Sequence, residues 1–174
     1  MGFEIKALPE SEYAGYEFSV EYVTDRFYDV ELLDEGFRLR LKSCPPVKKG
    51  FSDKLFSSWL EAPVAFGAFA EGALIGFVEG SCEGWHNMFR VSNIFVEPRA
   101  RRTGLGQALL EHIVAYARAQ GGFRAVILET QSCNYPAISL YKKLGFRLCR
   151  IDICEYSNSD VENHEVRIDL ALPL

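Results

Sequence analysis

Two strand-like segments, FRVSNIFVE from Phe89 and FRAVILET from Phe123, flank a stretch in which Leu105, Leu109, Ile113 and Tyr116/Ala117 recur at helical spacing. Pro98 closes the first strand, and Gly121-Gly122 stop the helix. Parallel strands are joined by such a crossover, so a sheet with helices on it is expected. The neighbouring segments extend that sheet. VAFGAFAEGALIGFVEGSCEG reads as two apolar strands about a Glu71-Gly72 turn. Asn134 can cap a second helix with Pro136 in its first turn and Ala137, Leu140, Tyr141 and Leu144 on one face; Gly145 ends it. FRLCRIDIC and HEVRIDLAL are closing strands joined by EYSNSDVEN. From Pro63 the order is β-β-β-α-β-α-β-β.

The first part of the chain is also rich in strands. FEIKAL is a short one, and the alternations Phe18/Val20/Tyr22 and Phe37/Leu39/Leu41 suit strands or a hairpin. CPPVKKGFSD reads as a loop by its Pro-Pro and Gly, after which Asp53 caps a short helix carrying Leu55, Phe56, Trp59 and Leu60. No repeat or linker interrupts the chain, and 174 residues with 48% hydrophobic content suit one α/β domain built on a mixed sheet.

The charge balance is acidic, 24 Asp+Glu against 19 Lys+Arg, for a formal net charge of -5. That argues against nucleic acid as a partner and suits a cationic one. The five cysteines form no CxxC pair and are expected as reduced thiols, and the three histidines lack partners at ligand spacing, so no metal is expected. There is no signal-peptide pattern and no run long enough to span a bilayer, which points to a cytoplasmic protein with no membrane partner.

Positive charge gathers at one place, RRTGLGQ, where Arg101 and Arg102 precede Gly104 and Gly106 at a helix start. The first N–H groups of a helix lack intrahelical partners and sit at the positive end of its dipole. Glycine there lets a bulky anion approach. Taken alone, the stretch also fits an ordinary turn with solvated arginines. It is neither a Walker loop nor a dinucleotide GxGxxG fingerprint.

About 30 residues further on comes LETQSCNYPAISLYKKLGF. The two segments together resemble the GNAT superfamily of acyl-CoA-dependent N-acyltransferases. The pattern R/Q-x-x-G-x-G/A is met by Arg101, Gly104 and Gly106. The pattern N-x-x-A-x-x-x-Y-x-x-x-G-F is met by Asn134, Ala137, Tyr141, Gly145 and Phe146. Where the family usually has glycine after its first arginine, this chain has Arg102, which adds a phosphate contact or crowds the loop. The resemblance implies a GNAT fold: one mixed, mostly antiparallel sheet of about seven strands flanked by helices, with splayed central strands. Residues 63–174 would form the acetyl-CoA core and residues 1–62 the acceptor side.

It also implies the site. The backbone of Ile94, Phe95 and Val96 would hold pantetheine and the acetyl oxygen. Arg101, Arg102, Thr103, Gly104, Leu105, Gly106 and Gln107 would cradle the pyrophosphate of acetyl-CoA, with Asn134 touching the cofactor from its helix start. Tyr141 would protonate the departing thiolate, its alternative being core packing. Glu129, twelve residues before Tyr141, occupies the place of the base proposed in ribosomal-protein N-terminal acetyltransferases. Glu79 and Glu83 are rivals that would act directly or through water. Cys133 reads as a small buried residue and not as a nucleophile.

LETQ-x-x-N-x-x-A, then Y-x-x-x-G-F, then Asp152, Tyr156 and Asn158 also resemble the streptothricin acetyltransferase branch. The acceptor so implied is a small cationic amine met by Glu79, Glu83 and Asp152. A protein N-terminal acetyltransferase and a non-catalytic acyl-CoA-binding module are the alternatives. The oligomeric state stays open, a homodimer included.

Overall fold

A computed structural model describes residues 2–174. The strands are β1 (Glu4–Leu8), β2 (Glu17–Leu33), β3 (Gly36–Lys54), β4 (Glu61–Ala70), β5 (Ala73–Glu83), β6 (Met88–Val96), β7 (Ala125–Gln131), β8 (Arg147–Asp152) and β9 (Arg167–Pro173). The helices are α1 (Glu10–Tyr13), α2 (Leu105–Gln120) and α3 (Tyr135–Lys143). Seven strands are hydrogen-bonded in the order β1-β4-β5-β6-β7-β9-β8, and β2 and β3 form a separate two-stranded ribbon. The pairs β1–β4, β4–β5, β5–β6 and β8–β9 are antiparallel. This is the mixed α/β, mostly antiparallel arrangement expected of the sequence.

The chain forms two compact units, and the boundaries between them fall inside β2, β3, β7 and β9. The first comprises residues 1–19, 52–127 and 173–174, and holds β1, β4, β5, β6 and α2. Its hairpin turns at Glu71 and Gly72, both at positive φ between the paired Ala70 and Ala73, the geometry a two-residue turn of matching twist requires. On the sheet lies α2, whose Leu105, Leu109, Leu110, Ile113 and Ala117 are all at most 1% exposed. Gly76 makes that close packing feasible. A Cβ there would stand 2.8 Å from the Phe95 carbonyl and 3.3 Å from Leu105.

The second unit, residues 20–51 and 128–172, holds most of the ribbon together with α3, β8 and most of β9. Buried Val166, Ile168 and Leu170 anchor its strand β9.

Three features of the first sixty residues differ from the sequence reading. The Pro45-Pro46 segment is not a loop but lies within β3. Proline cannot donate to a ladder and is tolerated where a strand has a free edge, which a two-stranded ribbon always provides. No helix follows Asp53: residues 55 and 56 form a turn in which Phe56 takes a φ of 56°, and Trp59 is 70% exposed. The four-residue α1 was not anticipated, being too short to show a period.

Candidate active site

In the first unit, β6 ends at Val96 and a single tight turn at Pro98–Ala100 leads towards α2. Ala100 is buried and its carbonyl accepts from the Thr103 hydroxyl at 2.8 Å; the Arg101 Nε donates to the Val96 carbonyl at 3.0 Å. Arg101 and Thr103 therefore tie the turn to the strand end. Gly104 lies at a φ of 92° as the residue before α2, and no side chain among the described residues caps the helix. Nothing stands within 4 Å of where a Gly104 Cβ would be, so the approach to the backbone is open. The N–H groups of Leu105, Gly106 and Gln107 are those of the first turn, which have no partner four residues earlier in the helix. The Gln107 side chain donates to Glu111 at 2.8 Å. Arg102 is exposed and takes a φ of 63°, a left-handed conformation in which a side chain strains the backbone.

Ile94, Phe95 and Val96 are half-buried and pair with Val78, Phe77 and Gly76 of β5. Just before them the register slips: Glu79 pairs with Asn93 but Gly80 with Val91, leaving Ser92 as a bulge. Glu79 is fully buried there. One of its oxygens accepts from the Phe56 N–H at 2.5 Å and the other from the Asn93 amide at 2.8 Å. Burial pushes its carboxyl above the ordinary glutamate value, against the pull of these two donors, and the Asp53 carboxylate adds to the rise. Glu83 is held at the far end of β5 by the Arg90 Nε, with the His86 Nε2 at 3.0 Å.

In the second unit, Asn134 accepts from the Ala137 N–H at 3.3 Å and so caps α3, as its position suggested. The motif's far end, Gly145-Phe146, also has a physical reason. Gly145 takes a φ of 91°, its N–H donates to the Lys142 carbonyl, and the Phe146 N–H donates to the Tyr141 carbonyl. That is a Schellman cap, whose usual hydrophobic contact here joins Phe146 to Tyr141, ring centroids 6.2 Å apart. The spacing Y-x-x-x-G-F thus fixes the tyrosine ring. Tyr141 is 5% exposed, and burial pushes its hydroxyl up to about 12.

Glu129, on β7, lies 2.6 Å from Nη2 of Arg167. The same guanidinium contacts Glu155 through Nη1 at 2.5 Å and the buried Asp169 through Nε at 2.9 Å. Asp152 stands opposite Arg167 in the β8–β9 ladder; it is exposed, and accepts from the Cys154 N–H. Arg150 reaches Asp169 at 3.5 Å. Glu129, Glu155 and Asp169 are thereby gathered about Arg167, with Asp152 as its ladder partner. Tyr156 belongs to the same group: burial raises its pKa, and the Glu129 carboxylate adds to the rise. The sequence reading singled out Glu129 and Asp152 but not Arg167, whose alternation in HEVRIDLAL marked only a strand. Cys133 is buried and bonded to the Tyr22 hydroxyl at 3.5 Å; burial pushes its thiol up, which disfavours the nucleophilic thiolate.

Among the described residues no group of three or more His, Cys, Asp and Glu side chains could hold a metal, and no helix is long and apolar enough to cross a membrane.

Known proteins with this arrangement carry matching names. The chain is 28% identical over 162 residues to a streptothricin acetyltransferase of Escherichia coli, covering 93% of this chain and 91% of that protein. A crystal structure of nourseothricin acetyltransferase, 27% identical, superposes with a TM-score of 0.80 over 99% of both chains. A [ribosomal protein bS18]-alanine N-acetyltransferase of Escherichia coli K12 is 39% identical over 82 residues, which is 47% of this chain and 53% of that protein. The model of the Acetyltransferase (GNAT) family matches residues 31–146, about two-thirds of the sequence, and the chain belongs to that family.

Proposed function

We propose that this acetyltransferase moves the acetyl group of acetyl-CoA directly to an amine of a small, polycationic acceptor of the streptothricin type, in a ternary complex. The observation that carries the acceptor class is the similarity over nearly the whole chain to a streptothricin acetyltransferase. The similarity to the ribosomal-protein enzyme is stronger in identity but spans only about half of either chain, and so speaks less for the acceptor.

The residues of the α2 start fit a pyrophosphate. The helix start is uncapped and open at Gly104, and Arg102 supplies a cation on its exposed side. The N–H groups of Leu105, Gly106 and Gln107 would hold phosphate oxygens, while Arg101 and Thr103 shape the turn. Backbone groups of Ile94, Phe95 and Val96 would hold the pantetheine arm and the acetyl oxygen, and Asn134 would reach the cofactor from the α3 start. Bound there, the thioester supplies an activated acetyl group. Tyr141 would hold the proton that the departing sulfur needs, a task suited to a phenol that stays protonated at neutral pH.

Glu129 would take the proton of the attacking amine. Arg167, 2.6 Å away, would hold its carboxylate in place. Asp152 and Glu155, beside the same arginine, would attract the other ammonium groups of the acceptor. Glu79 has protein donors on both oxygens and would meet an acceptor only through water, while Glu83 has Arg90 on one oxygen. The division into an acceptor side at residues 1–62 and an acetyl-CoA core at 63–174, in a cytoplasmic enzyme, belongs to the same reading.

The test is CoA release from acetyl-CoA with streptothricin, simple diamines and N-terminal peptides in parallel, with product masses. Acetylated streptothricin supports the reading. Turnover on peptides alone replaces it with a protein N-terminal acetyltransferase, and tight acetyl-CoA binding with no turnover leaves a binding module.

A further inference from the structure

The two closing strands carry the same triplet, Arg150-Ile151-Asp152 on β8 and Arg167-Ile168-Asp169 on β9. Residues two apart on a strand share a face. The antiparallel register sets Arg150 opposite Asp169 and Asp152 opposite Arg167, so the triplets meet with unlike charges. Asp169 is 1% exposed and holds the Arg167 Nε at 2.9 Å and the Arg150 Nη1 at 3.5 Å. Arg167 offers its other two nitrogens to Glu129, through Nη2 at 2.6 Å, and to Glu155, through Nη1 at 2.5 Å. The Arg167 side chain is 18% exposed and that of Glu129 35%, so exposure grows along the series Asp169, Arg167, Glu129. We infer that Asp169 and Arg167 are positioning residues: the buried aspartate fixes the guanidinium, and the guanidinium fixes the carboxylate that takes the amine proton. This inference rests on the reading of Glu129 as the base.

A carboxylate held by an arginine of its own is a poor base, because the cation favours the ionised form. Here one guanidinium charge is divided among three carboxylates. Asp169 and Glu155 disfavour charge on Glu129 and offset the arginine, so Glu129 is fixed in direction and keeps its affinity for a proton. Buried ion pairs contribute little to stability compared with apolar packing, and what this one supplies is a fixed geometry. Burial works against the charge on Arg167, but the Asp169 bond and the charges of Glu129, Asp169 and Glu155 outweigh it and keep the guanidinium protonated. The other groups near Glu129 are Arg150 and Asp152 of β8 and Tyr156. Arg150 is engaged by Asp169, and Asp152 accepts from the Cys154 N–H. Burial, and then the Glu129 charge, push the Tyr156 hydroxyl up, so it stays neutral near pH 7.

Carbon-13 titration of the Glu129 carboxyl in the full chain, assigned by its absence in Glu129→Gln, tests this without turnover. Arg167→Gln should raise the midpoint by about one pH unit or more. Asp169→Asn keeps an acceptor for Nε but removes the charge, and should lower the midpoint. The ascending limb of the kcat–pH profile should move with each midpoint. Arg167→Lys keeps the charge without the planar fork, and should lower kcat roughly ten-fold or more with the KM for acetyl-CoA unchanged. Thermal melting checks folding. Where Asp169→Asn does not fold, Glu155→Gln, at a more exposed position, removes a charge from the same guanidinium and must also lower the midpoint; where Arg167→Gln does not fold, the kcat of Arg167→Lys decides. Midpoints that stay put or move the same way in both variants overturn the inference whichever group is the base, as does full kcat in Arg167→Lys. Midpoints that move while the rate limb does not, or a limb that survives in Glu129→Gln, remove Glu129 as the base, and the inference falls with that reading.

Discussion

Removing the Tyr141 hydroxyl, as in Tyr141→Phe, isolates the proton that the leaving sulfur needs. The hydroxyl sits on a ring that is 5% exposed, with a pKa near 12. An ordinary thiol has a pKa of about 8.5, so full transfer from such a phenol to a solvated thiolate is uphill by about 5 kcal/mol. The phenol can therefore help only while the C–S bond breaks, when sulfur is poorly solvated and more basic than a free thiolate. General acids acting in this way contribute about 10²–10⁴ in rate, or about 3–5 kcal/mol. Tyr141→Phe should lower kcat by that factor and leave the KM for acetyl-CoA nearly unchanged, because the ring still packs on Phe146. An acetyl thioester with a more acidic leaving thiol needs less protonation and should recover much of the loss. The high pKa also fixes the pH profile. The acid form persists below about pH 11, so no falling limb appears near 10, where an unperturbed tyrosine would give one. Steady-state rates with both thioesters between pH 6 and about 10 read all of this. A kcat loss below about five-fold, or equal losses with both thioesters, would refute the acid role.

Three substitutions probe the rest of the site. Arg102→Gly relieves a side chain held at a φ of 63° and should stabilise the fold by about 1 kcal/mol, while weakening acetyl-CoA binding; thermal melting and calorimetric titration give the two signs. Gly145→Ala places a Cβ at a φ of 91° and should cost about 1 kcal/mol, with kcat falling as the cap that aims Tyr141 loosens; unchanged kcat at lowered stability would detach the cap from catalysis. Glu79 has its folded pKa raised by burial, so the native state binds more protons than the unfolded one above the ordinary glutamate pKa. Its contribution to stability is present at low pH and is lost as pH rises through the folded pKa. The melting temperature of the wild type should therefore fall relative to Glu79→Gln as pH rises above the ordinary glutamate pKa, and a parallel course would contradict the assignment.

The sequence was most legible where a single local rule decides the structure. The Glu71-Gly72 turn, the α2 stripe and the Asn134 and Gly145 caps of α3 each depend on residues within a few positions. The Pro45-Pro46 segment was not legible, because whether proline ends a strand depends on whether its N–H edge needs a partner. Residues 55–60 carry a helical-looking apolar spacing, yet the Phe56 N–H is bonded by Glu79, 23 residues away. The open start of α2 was legible because a helix start left uncapped needs only glycine and local turn chemistry. Arg167 was not, since its value lies in Glu129, Glu155 and Asp169, contributed from three segments.

The central claim is transfer to a small polycationic amine. Its most direct test is a competition in which streptothricin and an N-terminal peptide share one solution with limiting acetyl-CoA. The ratio of the two acetylated products gives the ratio of kcat/KM. The account predicts that acetylated streptothricin dominates, and that it forms about 10²–10⁴ times more slowly with Tyr141→Phe. A product mixture dominated by acetylated peptide would contradict it.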